Sequence, residues 1–315
     1  RLPRSLQDGG VWLVELAGVA DGTPVAEVVA RSLGISLSGL QAAQDELVDV
    51  LRSRSLLLLL DNCEHRAPEV ARLVDALLQA ADGVRVLVTS QVPLLHQGEQ
   101  LFRLAPLALP EPTAPPAEAR TAGSVALFLA RVKERSFGAP LQADDDAQLA
   151  DAVAICHRLD GLPLALELAA ARVPLLGLAG VRQRLGEPFK LLSGGRRDAP
   201  ARQQTLRAAI QWSHALLSPA ERSALRRLGV FPDSFSVVLA QQMIGDPAPN
   251  PGDDSDWSAL DLLQSLLDKS LLVHQVVPQV PAAGAAPRLR LLESTRIFAL
   301  PHQRHLAAAM LKEFS

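Results

Sequence analysis

Leu56-Leu-Leu-Leu-Leu-Asp-Asn-Cys-Glu-His65 runs five apolar residues without a break into an acid and a polar cluster. The run is far too short for a membrane span. It lies between the charged, helix-like Gln44–Arg54 and the polar turn His65–Pro68, and it reads as a central strand of a parallel sheet. Asp61 then falls at the strand's C-terminal end. In open α/β sheets ligands bind at that edge, and a carboxylate there can hold Mg²⁺ beside a nucleotide's phosphates. The same acid can instead cap the helix that follows.

Working outward, Pro68–Ala81 carries Val70, Leu73, Val74, Leu77 and Leu78 at helical spacing, and Val84-Arg-Val-Leu-Val-Thr-Ser90 follows as a second apolar strand. Strand, crossover helix and strand make one parallel βαβ unit. Its end presents Thr89, Ser90 and Gln91 beside the Asp61 edge. Upstream, Val11-Trp-Leu-Val-Glu-Leu16 reads as a strand, followed by a helix with Thr23 as cap and Pro24 first, and by the helical pattern of Leu40–Arg52. A short last strand is expected at Gln100–Leu104. Doubly wound α/β is the expected outcome for this part.

After the proline-rich stretch 105–121, which reads as an extended linker, helices are expected at Ala122–Arg135, Asp144–Arg158, Pro163–Arg172 and Leu178–Leu185. A second linker follows around Ser193–Pro200. The pattern then changes to helices at Gln203–Leu217, Pro219–Leu228 (Ser218 as cap) and Trp257–Ser270, with strands at Leu271–Gln275 and Arg288–Leu292 and a last helix over Ser294–Leu311. Helices followed by a hairpin describe a winged helix. Val276–Pro287, between the two strands, is a long apolar insertion without an assigned role.

Several motifs occur in a fixed order: Val11-Trp-Leu-Val-Glu-Leu16, Leu58-Leu-Leu-Asp-Asn-Cys-Glu-His65, Val86-Leu-Val-Thr-Ser90, Leu159-Asp-Gly-Leu-Pro-Leu-Ala-Leu-Glu-Leu-Ala-Ala-Ala-Arg172, Gln204-Thr-Leu-Arg-Ala-Ala-Ile-Gln-Trp-Ser213 and Leu291-Leu-Glu-Ser-Thr-Arg296. Together they resemble the STAND-class signal-transduction ATPases, the NB-ARC-like proteins, in the bacterial branch found in LuxR and AfsR/SARP-type transcriptional regulators. The resemblance covers nearly the whole chain. It implies α/β then all-α architecture: a partial P-loop-NTPase parallel sheet over 1–104, a linker over 105–121, a small helical domain over 122–186, a linker over 187–201, a winged helix over 202–300 and the start of a helical extension over 301–315.

By that resemblance the chain is an ATP/ADP-dependent switch with slow Mg²⁺-dependent hydrolysis, its nucleotide held between the sheet and helical domains. Asp61 serves Mg²⁺, Thr89, Ser90 and Gln91 read the terminal phosphate, and Leu162 with Pro163 packs against adenine. Glu64 is placed either to polarise the attacking water or simply as a first-turn acid favoured by the helix dipole. Glu293 stands where relatives carry a His-Asp pair that senses ADP, and Arg296 is placed either to bind phosphate or to pair with Glu293. Partners implied are the nucleotide, regulatory domains of the same polypeptide and self-association in the ATP-bound state.

Two departures from the family pattern stand out. No Gly-x-x-x-x-Gly-Lys-[Ser/Thr] occurs, and none of the lysines (Lys133, Lys190, Lys269, Lys312) lies in a Gly-rich turn, so the phosphate cradle is absent and truncation is the expected reason. Gln91 replaces the usual sensor arginine, and an amide cannot offset γ-phosphate charge as a guanidinium does.

Composition sets the remaining bounds. The 315 residues, 48% hydrophobic and 21% charged, fit a globular protein with more than one core. No apolar run approaches about 18 residues and no signal peptide is evident, so a cytoplasmic location without membrane contact is expected. Cys63 and Cys156 lie far apart in sequence without metal-ligand spacing. His302 and His305, at i and i+3 on the last expected helix, read as a solvated face. A net charge of −3 gives no general attraction to nucleic acid. The alternative functions are a DNA-binding winged-helix regulator, or a scaffold that has lost nucleotide binding. Against the first, the helix before the wing is flanked and interrupted by Asp253, Asp254, Asp256, Asp261 and Asp268 against Lys269 alone, and the basic residues Arg222, Arg226 and Arg227 fall on the helix before it.

Overall fold

The five-leucine run forms the middle strand of a parallel sheet. In the computed structural model, β1 (Val11–Glu15), β2 (Leu56–Asp61) and β3 (Val84–Val88) lie in the order β1-β2-β3, with Leu13 opposite Leu59 and Leu59 opposite Leu87. The structure describes residues 9–17, 19–20, 22–39, 42–111, 113–135, 146–186, 188–192, 204–245, 255–275 and 287–299. The chain divides into two compact units, Arg1–Phe102 and Arg103–Ser315.

In the first unit α1 (Val25–Ser32) and α2 (Ala43–Leu51) connect β1 to β2, and a 3₁₀ turn (Cys63–Arg66) with α3 (Ala67–Ala80) connects β2 to β3. Leu56, Leu58 and Leu60 are buried with Val14 and Val84 against Val25, Val29, Leu47, Leu51, Val70, Leu73 and Leu77. The helices cover this one face. Strand order advances in one direction, and right-handed crossovers place successive helices on the same side. On the other face Val11, Leu13 and Leu87 are 44%, 59% and 55% exposed. The doubly wound expectation is therefore met on one face only among the described residues.

Two details depart from expectation. Thr23 does not cap α1; Pro24 holds the capping position, and the first N–H, that of Val25, donates to Glu69 Oε1 at 2.6 Å, with Arg66 tying Glu69 to the Thr23 carbonyl. No strand forms at Gln100–Leu104. A strand needs a partner's ladder, and Leu101 and Phe102 instead stand exposed.

The second unit begins with α4 (Pro116–Thr121), α5 (Gly123–Arg135), α6 (Asp146–Arg158), α7 (Pro163–Ala170), α8 (Val173–Arg184) and α9 (Pro188–Leu191) around Phe128, Ile155, Leu166 and Leu185. The stretch 105–121 is not simply an extended linker. Pro115 and Pro116 sit at the N-cap and first turn of α4, where a missing N–H costs nothing, and Ala119 joins the core. Upstream, Leu107 N–H donates to Gly161 O and Ala108 O accepts from Ser124. Likewise α9 lies inside the expected 187–201 linker, whose residues 193–201 are outside those described. Gly177 (φ 69°) breaks α8, so its regular part starts at Leu178, as the sequence suggests.

The rest of the unit holds α10 (Leu206–Ala215), α11 (Pro219–Leu228), β4 (Phe235–Ser236), α12 (Val237–Ile244), α13 (Ser255–Asp268), β5 (Leu272–Gln275), β6 (Arg288–Leu291) and α14 (Glu293–Ala299). Ser218 and Glu221 form a capping box on α11. An antiparallel sheet, β4-β6-β5, packs with α11, α12 and α13 around Leu225, Leu228, Phe235, Leu263, Leu266 and Leu289. Neither β4 nor α12 was expected. Leu206 and Ile210 of α10 and Phe298 of α14 join the core of the preceding helices instead. The insertion 276–286, and the expected helix beyond residue 299 with His302 and His305, lie outside the described residues. No helix among the described residues is long and apolar enough to cross a membrane.

Candidate functional site

Parallel register brings the C-terminal ends of β2 and β3 side by side, and this positions the first group of expected residues. Thr89 continues the ladder by donating its N–H to Leu60 O at 2.9 Å. Its hydroxyl donates to Asp61 Oδ1 at 2.5 Å and accepts the Asn62 N–H at 2.9 Å. Asn62 is left-handed (φ 67°, ψ 53°), a conformation its short polar side chain tolerates, and it turns the chain out of β2 into the 3₁₀ turn. Asp61 thus faces Thr89, while Asn62 holds the capping position of the turn without a side-chain capping bond.

Glu64 is buried at 8% exposure in that turn. Burial, together with the charges of Glu64 and Asp61, pushes the neighbouring Cys63 thiol up to about 12. Ser90 is exposed and its hydroxyl accepts the Val92 N–H. Two buried polar atoms at this corner, Asn62 Nδ2 and Gln91 Oε1, have no hydrogen-bond partner among the described residues.

Mg²⁺ held by one carboxylate, with water and phosphate completing an octahedron, needs only hard oxygens. Asp61 and the adjacent Thr89 hydroxyl meet that need, and a buried amide donor such as Asn62 Nδ2 suits a phosphate or water oxygen. A triphosphate fits only in part, because the described residues include no loop of backbone donors with a lysine. No group of three or more His, Cys, Asp or Glu among them is placed to share an ion.

The second group lies in the second unit. Leu162 is the N-cap of α7 and half-buried, and Pro163 at its first position is exposed. Arg296 pairs with Glu293 through two bonds of 2.8 Å, which raise its guanidinium pKa. Of the two roles weighed for Arg296, this geometry displays the helix pair.

Two residues that the sequence did not single out complete this cluster. Asp160, 6% exposed and left-handed (φ 52°), accepts Arg290 Nη1 at 2.7 Å and the Glu293 N–H at 2.6 Å. The signal was an acid between Leu159 and Gly161, directly before the Gly161-Leu-Pro163 step into α7. Beside it opens a cavity of about 930 Å³ whose lining includes Asp146, His157, Arg158, Asp160, Arg290 and Glu293.

No protein-family model matches the sequence. The chain is 34% identical over 291 residues, 92% of its length and 68% of the relative's, to "Uncharacterized protein Rv0894" of Mycobacterium tuberculosis (strain ATCC 25618 / H37Rv). It belongs to that protein's family. It is also 36% identical over 292 residues to "Putative HTH-type transcriptional regulator Rv0890c" of the same strain, and to its counterpart Mb0914c in Mycobacterium bovis. That match covers 92% of this chain and 30% of the relative, so the chain spans under a third of those regulators' length.

Proposed function

We propose that the chain is the nucleotide-responsive switch module of a larger transcriptional regulator, taking ATP or ADP with Mg²⁺. The observation that carries this reading is the Asp61–Thr89 corner: an acid at the C-terminal edge of a parallel sheet, touched by a hydroxyl from the next strand and flanked by buried, unpartnered amide atoms. Asp61 holds Mg²⁺, Thr89 orients the carboxylate, and Ser90 and Gln91 face the terminal phosphate. Glu64, buried in the turn that follows Asp61, polarises the attacking water. These 315 residues carry no Gly-rich loop with a lysine for the β- and γ-phosphates, which is why the chain by itself is expected to hold the nucleotide weakly. Nucleotide state then sets whether the 202–300 region, a winged helix in this reading, is held or released. The regulator acts from the cytoplasm, through other domains of its own polypeptide and through self-association in the ATP state.

A DNA-binding role is the second reading, favoured by the HTH-type name of the longer relatives. The contacts of the basic helix argue for placing such binding in another domain. Arg222 donates to His214 O and Ala215 O, Arg226 to Arg222 O, and Arg227 to Ile244 O. These arginines serve helix carbonyls rather than a phosphate-facing surface.

Calorimetry tests the proposal. The 315-residue chain should bind Mg·ATP weakly or not at all, and the longest natural polypeptide carrying it should bind with Mg²⁺-dependent affinity that Asp61→Ala reduces. Tight binding by the longer protein that ignores both Mg²⁺ and the substitution would overturn it.

A further inference from the structure

We propose that Asp160 is a latch that docks β6 and α14 onto the turn between α6 and α7, so that α14 is held or freed at one carboxylate. The turn itself is rigid. Asp160 and Gly161 are both left-handed (φ 52° and 65°), Asp160 N–H donates to His157 O, Gly161 N–H to Cys156 O, and Gly161 O accepts Leu107 N–H. A Cβ on Gly161 would stand 2.3 Å from Leu107 O, so no other residue fits without moving that strand of chain. The Asp160 side chain is therefore presented from a fixed platform.

Its two oxygens do different things. One neutralises Arg290, which lies on β6 within the ladder opposite Val273. The other accepts the N–H of Glu293, the first residue of α14. A helix's first N–H groups have no partner within the helix, and the residue before α14 is Leu292, whose side chain accepts nothing. Asp160 supplies the missing cap from 133 residues away, and its charge sits at the positive end of the helix. Phe298, buried at 8% in the core of the preceding helices, is the apolar anchor of the same helix.

Docking and the start of α14 are thus one event. Separation strips Arg290 of its counter-ion and α14 of its cap together, which makes the joint two-state rather than gradual. The cavity lined by Asp160, Arg290 and Glu293 gives solvent a route to the latch. None of this requires that the sheet bind a nucleotide.

Hydrogen exchange on the 315-residue chain tests the latch. Asp160→Ala should speed exchange across α14, 293–299, by roughly tenfold or more, the scale of a lost cap and ion pair together, while β6 stays protected in its ladder. Asp160→Asn, which keeps an acceptor but not the charge, should fall between, and peptides over α5 and α7 should keep their protection. Unchanged exchange at 293–299 in Asp160→Ala would overturn the proposal, and so would a uniform loss from 123 to 299, which would make Asp160 a core folding residue. Should Asp160→Ala be insoluble, Asp160→Asn and Arg290→Met decide. Their effects on 293–299 should be markedly less than additive when combined, and strict additivity contradicts a shared latch.

Discussion

Asp61 and Asp160 occupy similar places in the two units: each is an acid where the chain leaves a regular element beside a left-handed residue. Their surroundings differ. Asp160 is buried, with both oxygens bonded to residues more than a hundred positions away. Asp61 is half-exposed, its described bond comes from one hydroxyl, and Asn62 Nδ2 and Gln91 Oε1 beside it are buried without described partners. A carboxylate whose oxygens are filled by the protein holds structure together. One set among unfilled polar atoms is available to something else, and burial of unpaired polar groups is costly unless a ligand completes them.

The comparison is broken most directly by truncating each acid. Asp160→Ala leaves Arg290 and the α14 terminus without their partner and should cost about 3 kcal/mol in the local opening of α14, read by hydrogen exchange. Asp61→Ala should cost under about 1 kcal/mol, because it removes one hydrogen bond at an accessible edge. Equal losses would erase the distinction.

Glu221 extends the comparison to a third acid, filled like Asp160. Burial would raise its pKa, yet hydrogen bonds from Lys269, Ser265 and the Ser218 N–H, with the Lys269 charge, bring it down to about 2. A carboxyl lowered by folding stabilises the native state fully above its unfolded value, near 4.5, and that contribution fades as pH falls towards about 2. Stability of the second unit should drop across this window, and Glu221→Gln should flatten the dependence. An unaltered acid limb in the variant would assign the acid sensitivity to other groups.

A smaller effect separates the units kinetically. Burial pushes both thiols, Cys63 and Cys156, up to about 12, so neither should react with a thiol reagent at pH 8 until its unit opens. Cys63 should label first as urea rises, because one apolar face of its sheet is exposed. Earlier labelling of Cys156 would reverse the expected order of stability.

Legibility from sequence followed how local the cause was. The five leucines, the Val84–Val88 strand and the Ser218 cap carry their periodicity or capping chemistry within a few residues, and each was readable. The strand expected at Gln100–Leu104 failed because a strand depends on a partner that its own residues do not announce. β4 is two residues long, too short for a period, and α12 opens on a β-branched pair after Ser236 that masks its helical character. The Asp61–Thr89 pair was legible because both residues end adjacent strands. Asp160 was not, since its partners lie 130 and 133 residues on and no spacing rule connects them.

The most direct test of the account is Mg²⁺-dependent ATP turnover by the longest natural polypeptide carrying this sequence, measured for the native protein and for Asp61→Ala. Native-like unfolding curves should accompany a loss of turnover of roughly a hundredfold or more in the variant, as expected when the residue holding a phosphate-bound metal is removed. Turnover retained near the native rate, with Mg²⁺ still required, would show that Asp61 is a structural acid like Asp160 and that the metal is held elsewhere.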